Sequence, residues 1–205
     1  MSASSRRILQ IVPQLPGTGD GVGDYALNLA RSLATEHGVE TLFAVARKTA
    51  VTEKEGFPVL SGLETLFDSP GSGWEHAVLH YVNYGYQPRG VPTLLHKVVQ
   101  RLRPQLRGRW LTTFHEIYAS GPPWKSAFWV RPFQVRIAHA MIDASTVCVV
   151  SNPAIERAIH AHDAAKKVYT VPVMSNFGEP APAEFATAAS PKRWVICGGT
   201  ALIAQ

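Results

Sequence analysis

The chain has 205 residues, of which 46% are hydrophobic and 17% charged, and its formal net charge is +5. This length and balance predict a globular domain with its own core, and they exclude a disordered chain, a collagen and a coiled coil. Its two cysteines, Cys148 and Cys197, are too few for a disulfide scaffold or a cysteine-rich zinc module. Both lie in apolar runs, which is typical of buried free thiols in a reducing compartment.

The apolar runs are too short to span a bilayer, which needs about 20 residues. Residues 8–12 follow two arginines but are also too short for the apolar region of a signal peptide. We therefore expect a cytoplasmic protein, with peripheral contact to the inner face of a membrane as an extension of that expectation.

Apolar runs alternate with helical patterns along the chain. In chain order we predict a strand at 8–12, a glycine- and proline-rich loop at 13–21, a helix from about 22 that ends before Gly38, and strands at 41–45 and 57–60. A short helix at 62–67, a loop at 69–73, a strand at 77–81, a helix at 92–102 and a strand at 110–114 come next. The last predicted elements are a helix at 125–142 with a bend at Pro132, a strand at 146–150, a helix at 153–162 capped by Ser151, and a strand at 168–171.

This alternation predicts the α/β class, with a doubly wound parallel sheet of Rossmann-like type over residues 1–175. Residues 176–192 are rich in alanine and proline and are interpreted as a linker. Residues 193–205 have the pattern of the first strand and turn of a second α/β unit. We expect that second domain to be missing or truncated.

Ligands of doubly wound sheets bind at the carboxyl ends of the strands, so the residues that follow each strand are the candidates. After the first strand, glycines alternate at positions 17, 19, 21 and 23, and we expect Gly21, Val22, Gly23 and Asp24 to bind substrate. Glycine allows a ligand to approach the backbone, and a helix N-terminus suits a phosphate. Neither the dinucleotide fingerprint nor a P-loop fits this register, and a flexible loop with Asp20 as helix cap is the alternative.

Three later strands are also followed by polar residues. Asn83 and Tyr84 stand in a stretch with Tyr81 and Tyr86, whose aromatic rings suit a sugar or a base; tyrosines half-buried over a helix are the alternative. His115 and Glu116 pair an imidazole with a carboxylate, which can bind hydroxyls or move protons.

The last strand end carries Ser151 and Asn152, where a helix cap is the alternative to substrate binding. Ser151 lacks the flanking glycines of a nucleophile elbow. The other histidines are interpreted as surface or structural residues. His160 and His162 are too close together for a helical metal pair, and we expect no metal.

Residues 87–136 carry nine basic side chains and one acidic one, Glu116, for a net charge of +8. This excess favours an anionic partner: nucleic acid, an acidic lipid surface or a phosphorylated ligand. Within it, Trp124, Lys125, Trp129 and Arg131 have the composition of an interfacial helix, and we expect them to form a membrane or anion patch. A solvated helix face, with the aromatic rings packed on the sheet, is the alternative.

Four segments at these strand ends resemble the N-terminal half of GT-B glycosyltransferases, in the retaining group related to glycogen and sucrose synthases. They are residues 21–26, 113–116, 149–152 and 171–176. The resemblance implies an acceptor-side domain whose C-terminal partner binds a nucleotide-sugar donor. It implies that His115 is the active-site histidine that contacts the transferred sugar. The nucleotide-sugar would be a co-substrate, and no cofactor is implied. The family often has two adjacent glycines where Asp20 and Gly21 stand here.

The predicted function is therefore that of the acceptor-binding half of a glycosyltransferase, with an anionic or lipid-linked acceptor. Without the donor half we expect the chain alone to be inactive, because catalysis needs both walls of the cleft. The alternative is a non-catalytic module that binds a glycan or an anionic lipid. A nucleic-acid-binding domain is a further, less favoured reading of the basic stretch, and the glycine register disfavours a nucleotide-dependent reductase.

Overall fold

A computed structural model describes residues 6–68, 74–119 and 122–173. The strands are β1 (Arg7–Val12), β2 (Glu40–Val45), β3 (Glu53–Lys54), β4 (Phe57–Ser61), β5 (His76–Tyr81), β6 (Trp110–Phe114), β7 (Val147–Val150) and β8 (Val168–Thr170). The helices are α1 (Gly21–His37), α2 (Thr65–Asp68), α3 (Asn83–Tyr86), α4 (Thr93–Leu102), α5 (Ser126–Ala144) and α6 (Pro153–His162), and a 3₁₀ turn over Arg103–Gln105 follows α4. Within the described ranges, no helix is long and apolar enough to cross a membrane.

The strands form one sheet in the order β3-β4-β2-β1-β5-β6-β7-β8. Every pair is parallel except β3 with β4, so the predicted doubly wound, Rossmann-like α/β fold is confirmed. The direction of winding reverses between β1 and β5. In such sheets this reversal opens a crevice at the carboxyl ends of the two strands, where ligands bind.

Side chains of the strands alternate between two faces, and each face has its own core. The larger core packs α2, α4, α5 and α6 on one face through Leu66, Leu95, Ile137 and Ile159. The smaller core lies under α1 and consists of Val12, Ala26, Leu27, Ala30, Phe43, Val45 and Val59. Among the described helices, α1 alone covers this second face, and the candidate site lies beside it.

The ends of two helices follow from single side chains. Asp20 caps α1, since its carboxylate accepts a hydrogen bond from the backbone of Gly23 at 2.9 Å, and Gly38 ends α1 in the left-handed conformation with φ of 61°. The predicted cap of α6 was wrong: Asn152, rather than Ser151, accepts from the backbone of Ala154 at 2.7 Å. Pro153 occupies the first position of the helix, so Asn152 directly before it is the N-cap residue. An N-cap side chain binds the amide of the second or third helical residue, which here is Ala154.

All seven strands predicted within residues 1–175 are present, but three short elements were not predicted, one of which is the 3₁₀ turn over Arg103–Gln105. The two-residue strand β3 turns into β4 through Glu55 and Gly56, both at positive φ (52° and 82°). The single turn α3 begins at Asn83, where we predicted a loop. Cys148 is a buried free thiol as predicted, whereas Cys197, the loop at 69–73, the linker at 176–192 and the strand at 193–205 lie outside the described residues.

Candidate functional site

The candidate site lies on the α1 face of the sheet, near the carboxyl ends of β5, β6 and β7. The strand register places His80 beside Thr113 and Thr113 beside Val149. His115 follows β6 directly, and its backbone N–H donates to the carbonyl of Tyr81 at 3.0 Å, which extends the parallel ladder by one residue. The imidazole of His115 is thereby fixed at the carboxyl end of β6.

Three polar side chains form a buried chain of hydrogen bonds. The Nε2 atom of His80 lies 2.8 Å from the amide oxygen Oε1 of Gln10, and its Nδ1 atom lies 3.3 Å from Nε2 of His115. Because Oε1 only accepts, Nε2 of His80 carries the proton, and Nδ1 of a neutral His80 accepts one from His115. The proton of His115 is therefore on Nε2, which leaves its Nδ1 atom as a hydrogen-bond acceptor.

Both imidazoles are held neutral. Burial, and to a smaller extent the neighbouring His115, lower the pKa of His80 to about 3. Burial also lowers the pKa of His115 to about 4, although the carboxylate of Asp20 acts in the opposite direction. At neutral pH the site thus offers polar neutral groups rather than a cation.

Tyr25 of α1 packs edge-on against both imidazoles, with ring centroids 5.8 Å from His80 and 5.3 Å from His115. Burial raises the pKa of Tyr25, so its hydroxyl stays protonated. A small pocket opens beside this cluster, and its walls include Tyr25, Thr113, His115, Val149 and Ser151. A ligand in this pocket would contact His115 directly.

The glycine-rich loop between β1 and α1 is held by its own carboxylates. Besides the Asp20 cap, Asp24 accepts a hydrogen bond from the backbone of Gly17 at 2.9 Å. A Cβ at Gly23 would stand 3.2 Å from the backbone of Pro16, so close packing of loop on helix accounts for this glycine. Two carboxylates at the helix start disfavour a phosphate and favour hydroxyl groups, which donate to carboxylates.

The aromatic surface predicted after β5, from Tyr81, Tyr84 and Tyr86, is smaller than the sequence indicated. Tyr84 is exposed (40%), but Tyr81 is buried and Tyr86 donates its hydroxyl to the backbone carbonyls of Ile11 and His80. Asn83 is buried, and its side-chain oxygen accepts from the backbone of Tyr84. Tyr86 thus holds the ends of β1 and β5 together, and of this group only Tyr84 presents a ring to solvent.

The remaining predicted binding residues differ in position. Glu116 is exposed next to His115, and Ser151 lies on the wall of the small pocket. Asn152 is occupied as the cap of α6. In the part of the chain that the structure describes, no group of three histidine, cysteine, aspartate or glutamate side chains is arranged to hold a metal ion.

The basic residues of the 87–136 stretch divide between the amino ends and the carboxyl ends of the strands. Arg107 and Arg109 precede β6 and lie at its amino end, whereas Lys125 and Arg131 lie at the start of α5, which follows the carboxyl end of β6. The stretch therefore does not form one continuous patch. Trp124 and Trp129 are strongly exposed, so the alternative in which they pack on the sheet does not hold.

Sequence reasoning missed Gln10, His80 and Tyr25. His80 stands inside an apolar strand and Tyr25 belongs to the apolar face of α1, positions that are typical of core residues. One signal in the sequence could have found them. Gln10 and His80 are polar residues inside otherwise apolar strands, β1 and β5, and these strands flank the reversal of winding. Buried polar side chains need partners: Nε2 of His80 and Oε1 of Gln10 are partners, whereas the amide nitrogen of Gln10 has none among the described residues.

Known structures share this fold. Neither a family model nor a curated protein matches the sequence. A sucrose-phosphate synthase structure from Thermosynechococcus elongatus superposes with a TM-score of 0.55 at 15% identity, over 84% of this chain and 91% of that chain. A structure described as a candidate NADH-flavin reductase from Streptococcus pneumoniae gives a TM-score of 0.41 at 13% identity, over 71% of each chain, which is too low to carry an argument. At such identities the similarity shows the fold alone: the chain is a Rossmann-like α/β domain with the fold of that sucrose-phosphate synthase structure.

Proposed function

We propose that the chain is the acceptor-side half of a GT-B glycosyltransferase and that His115 contacts the sugar that is transferred. The observation that carries the proposal is the chain of hydrogen bonds from Gln10 through His80 to His115, which ends at the small pocket described above. It supports a neutral imidazole whose Nδ1 accepts a hydrogen bond. A sugar hydroxyl is the donor that such an atom would bind.

The surroundings of His115 support a sugar over a phosphate. Asp20 and Asp24 carry negative charge at the start of α1, and Tyr25 offers a protonated hydroxyl group. A sugar donates to carboxylates and presents apolar ring faces to aromatic side chains. In this proposal the nucleotide phosphates of the donor bind to the second domain, and the acceptor binds on this one.

The test is nucleoside diphosphate release by the full-length protein from a panel of nucleotide-sugars, with and without anionic and lipid-linked sugar acceptors. We expect His115→Ala to lower kcat by at least about 100-fold, the scale of losing one positioned polar group. His96→Ala is the control, because His96 lies on α4 under the other face of the sheet. Turnover by His115→Ala at the rate of the control variant would refute the role of His115.

The alternative, a module that binds a glycan or anionic lipid without transfer, is favoured by the exposed aromatic side chains at the start of α5. It predicts no release of nucleoside diphosphate with any donor in the panel. It also predicts that acceptor sugars bind equally well to the wild-type protein and to His115→Ala, as measured by calorimetry.

A further inference from the structure

We propose that the first turns of α5, with the segment before them, bind the surface of an anionic phospholipid bilayer. The membrane-docking surface consists of Trp124, Lys125, Phe128, Trp129, Arg131, Phe133 and Arg136. This proposal is independent of sugar transfer and would hold for either function considered above.

The aromatic side chains of this surface are unusually exposed. Trp124 is 83% exposed, Trp129 69% and Phe133 61%, whereas Trp110 and Phe114 of the neighbouring strand are fully buried. The rings contact one another rather than the core: Phe128 and Trp129 pack edge to face at 5.4 Å. An apolar patch of this kind on a protein surface marks an interaction site.

The arrangement on the helix explains the exposure. Gln134, Ile137 and Ala138 are buried and fix one face of α5 against the rest of the domain. Phe128, Trp129 and Arg136 fall on the opposite face at helical spacing. Trp129 also donates its indole N–H to the carbonyl of Pro123 at 2.9 Å, which joins the preceding segment to the helix. The surface is therefore a convex ridge rather than a groove.

The charge of the ridge favours an anionic partner. Between Glu116 and Asp143 the sequence has no acidic residue. Among the described residues, no carboxylate pairs with Lys125, Arg131 or Arg136, and Arg131 stacks over the ring of Tyr118 at 5.2 Å. Cations left unpaired beside exposed tryptophans suit lipid phosphates and the interfacial depth that indole rings prefer.

Two other partners also recognise aromatic and basic side chains, and the shape of the ridge distinguishes them. Single-stranded nucleic acid is bound by a basic groove that follows its backbone, with aromatic rings as stacking platforms. A protein partner, including a second copy of this chain, would bring acidic groups to the cations. An exposed helix surface with protruding rings, and with cations that no carboxylate of the described residues pairs, matches the plane of a bilayer better than either.

The experiment is cosedimentation of the 205-residue chain with phosphatidylcholine vesicles, with and without phosphatidylglycerol. We expect binding to the anionic vesicles, at least about tenfold weaker binding to the neutral ones, and loss of binding as salt is raised. Trp124→Ala/Trp129→Ala and Arg131→Gln/Arg136→Gln should each weaken binding at least about tenfold.

The matched control is Arg101→Gln/Arg107→Gln, which removes two cations of the same basic stretch near the amino edge of the sheet. This variant should bind like the wild-type protein. Circular dichroism of each variant shows whether it is folded, so that a loss of binding is assigned to the surface and not to unfolding.

Three results would overturn the proposal. The first is absence of binding to anionic vesicles. The second is equal loss of binding in the control variant, which would mean that total charge and not this surface is responsible. The third is a concentration-dependent dimer, or salt-sensitive capture of single-stranded RNA, that Trp124→Ala/Trp129→Ala abolishes while vesicle binding is unchanged. That result would assign the ridge to a second copy of the chain or to nucleic acid.

Discussion

The Nδ1 atom of His80 lies 3.3 Å from the Nε2 atom of His115, and the two rings are stacked with 25° between their planes. His80 is fully buried on β5, whereas His115 stands at the edge of the sheet beside a pocket. Since His80 also donates to Gln10, the position of one proton inside the sheet decides whether the Nδ1 atom of His115 is an acceptor or a donor. Gln10 and His80 therefore act on the site as positioning residues.

Replacing Gln10 with leucine tests this relationship. The variant removes the acceptor of His80 Nε2–H and leaves a buried donor without a partner, which costs about 1–3 kcal/mol in the free energy of unfolding. A proton on Nδ1 of His80 would keep a partner, because it would donate to Nε2 of His115. The proton of His115 would then move from Nε2 to Nδ1. Imidazole ¹⁵N chemical shifts report these tautomers directly. We expect both histidines to change tautomer in Gln10→Leu, and unchanged shifts would contradict the chain of hydrogen bonds.

The pH dependence of stability follows from the lowered pKa values of the two histidines. Both pKa values fall from 6.5, to about 4 for His115 and to about 3 for His80, so the unfolded chain binds protons first as the pH decreases. The stability that these groups contribute is complete above pH 6.5 and is lost as the pH falls, towards 4 for His115 and towards 3 for His80.

Between pH 6.5 and pH 5 the two histidines should together lower the free energy of unfolding by about 3 kcal/mol. Urea denaturation across this range measures the loss. In His115→Asn the loss should be about 1.5 kcal/mol smaller, because one of the two titrating groups is gone. His37→Asn, which removes an exposed histidine at the end of α1, is the control and should keep the full loss. An identical loss in all three proteins would show that His115 is not held neutral in the folded protein.

The sequence predicted the frame of the fold well, because buried parallel strands are continuous apolar runs and α1 has a regular apolar stripe. It predicted the site less well. His115 and Ser151 are candidates that the sequence offers through their places after strands, but Gln10 and His80 stand inside strands, where only the pairing register brings them together. The tyrosines at 81 and 86 misled for a related reason: a tyrosine beside a strand end can point into the core, and composition does not show its direction.

The cap of α6 offers a test of local structure. Asn152 accepts from the amide of Ala154, whereas Ser151 is exposed on the wall of the small pocket. We expect Asn152→Ala to lower the free energy of unfolding by about 0.5–2 kcal/mol, the usual cost of a lost N-cap. Ser151→Ala should change it by less than about 0.5 kcal/mol. Chemical denaturation of both variants measures the difference, and a larger loss in Ser151→Ala would restore the serine as the cap.

Asp20 has two separable roles, as the cap of α1 and as a charge near His115. Asp20→Asn keeps a side-chain acceptor for the amide of Gly23 but removes the charge, so stability should change little. The pKa of His115 should then fall below about 4, because the carboxylate raises it in the wild-type protein. Asp20→Ala removes both roles and should also destabilise the protein by about 0.5–2 kcal/mol.

NMR titration of His115 and urea denaturation separate the two effects of Asp20. If the pKa of His115 rises or stays constant in Asp20→Asn, the carboxylate is not the charge that acts on the imidazole. The acceptor atom of the site would then depend on the hydrogen bonds to His80 alone. A fall in the pKa of His115, with stability retained, would show that the carboxylate at the start of α1 interacts with the imidazole at the carboxyl end of β6. The glycine-rich loop would then influence the site by raising the pKa of His115 through Asp20.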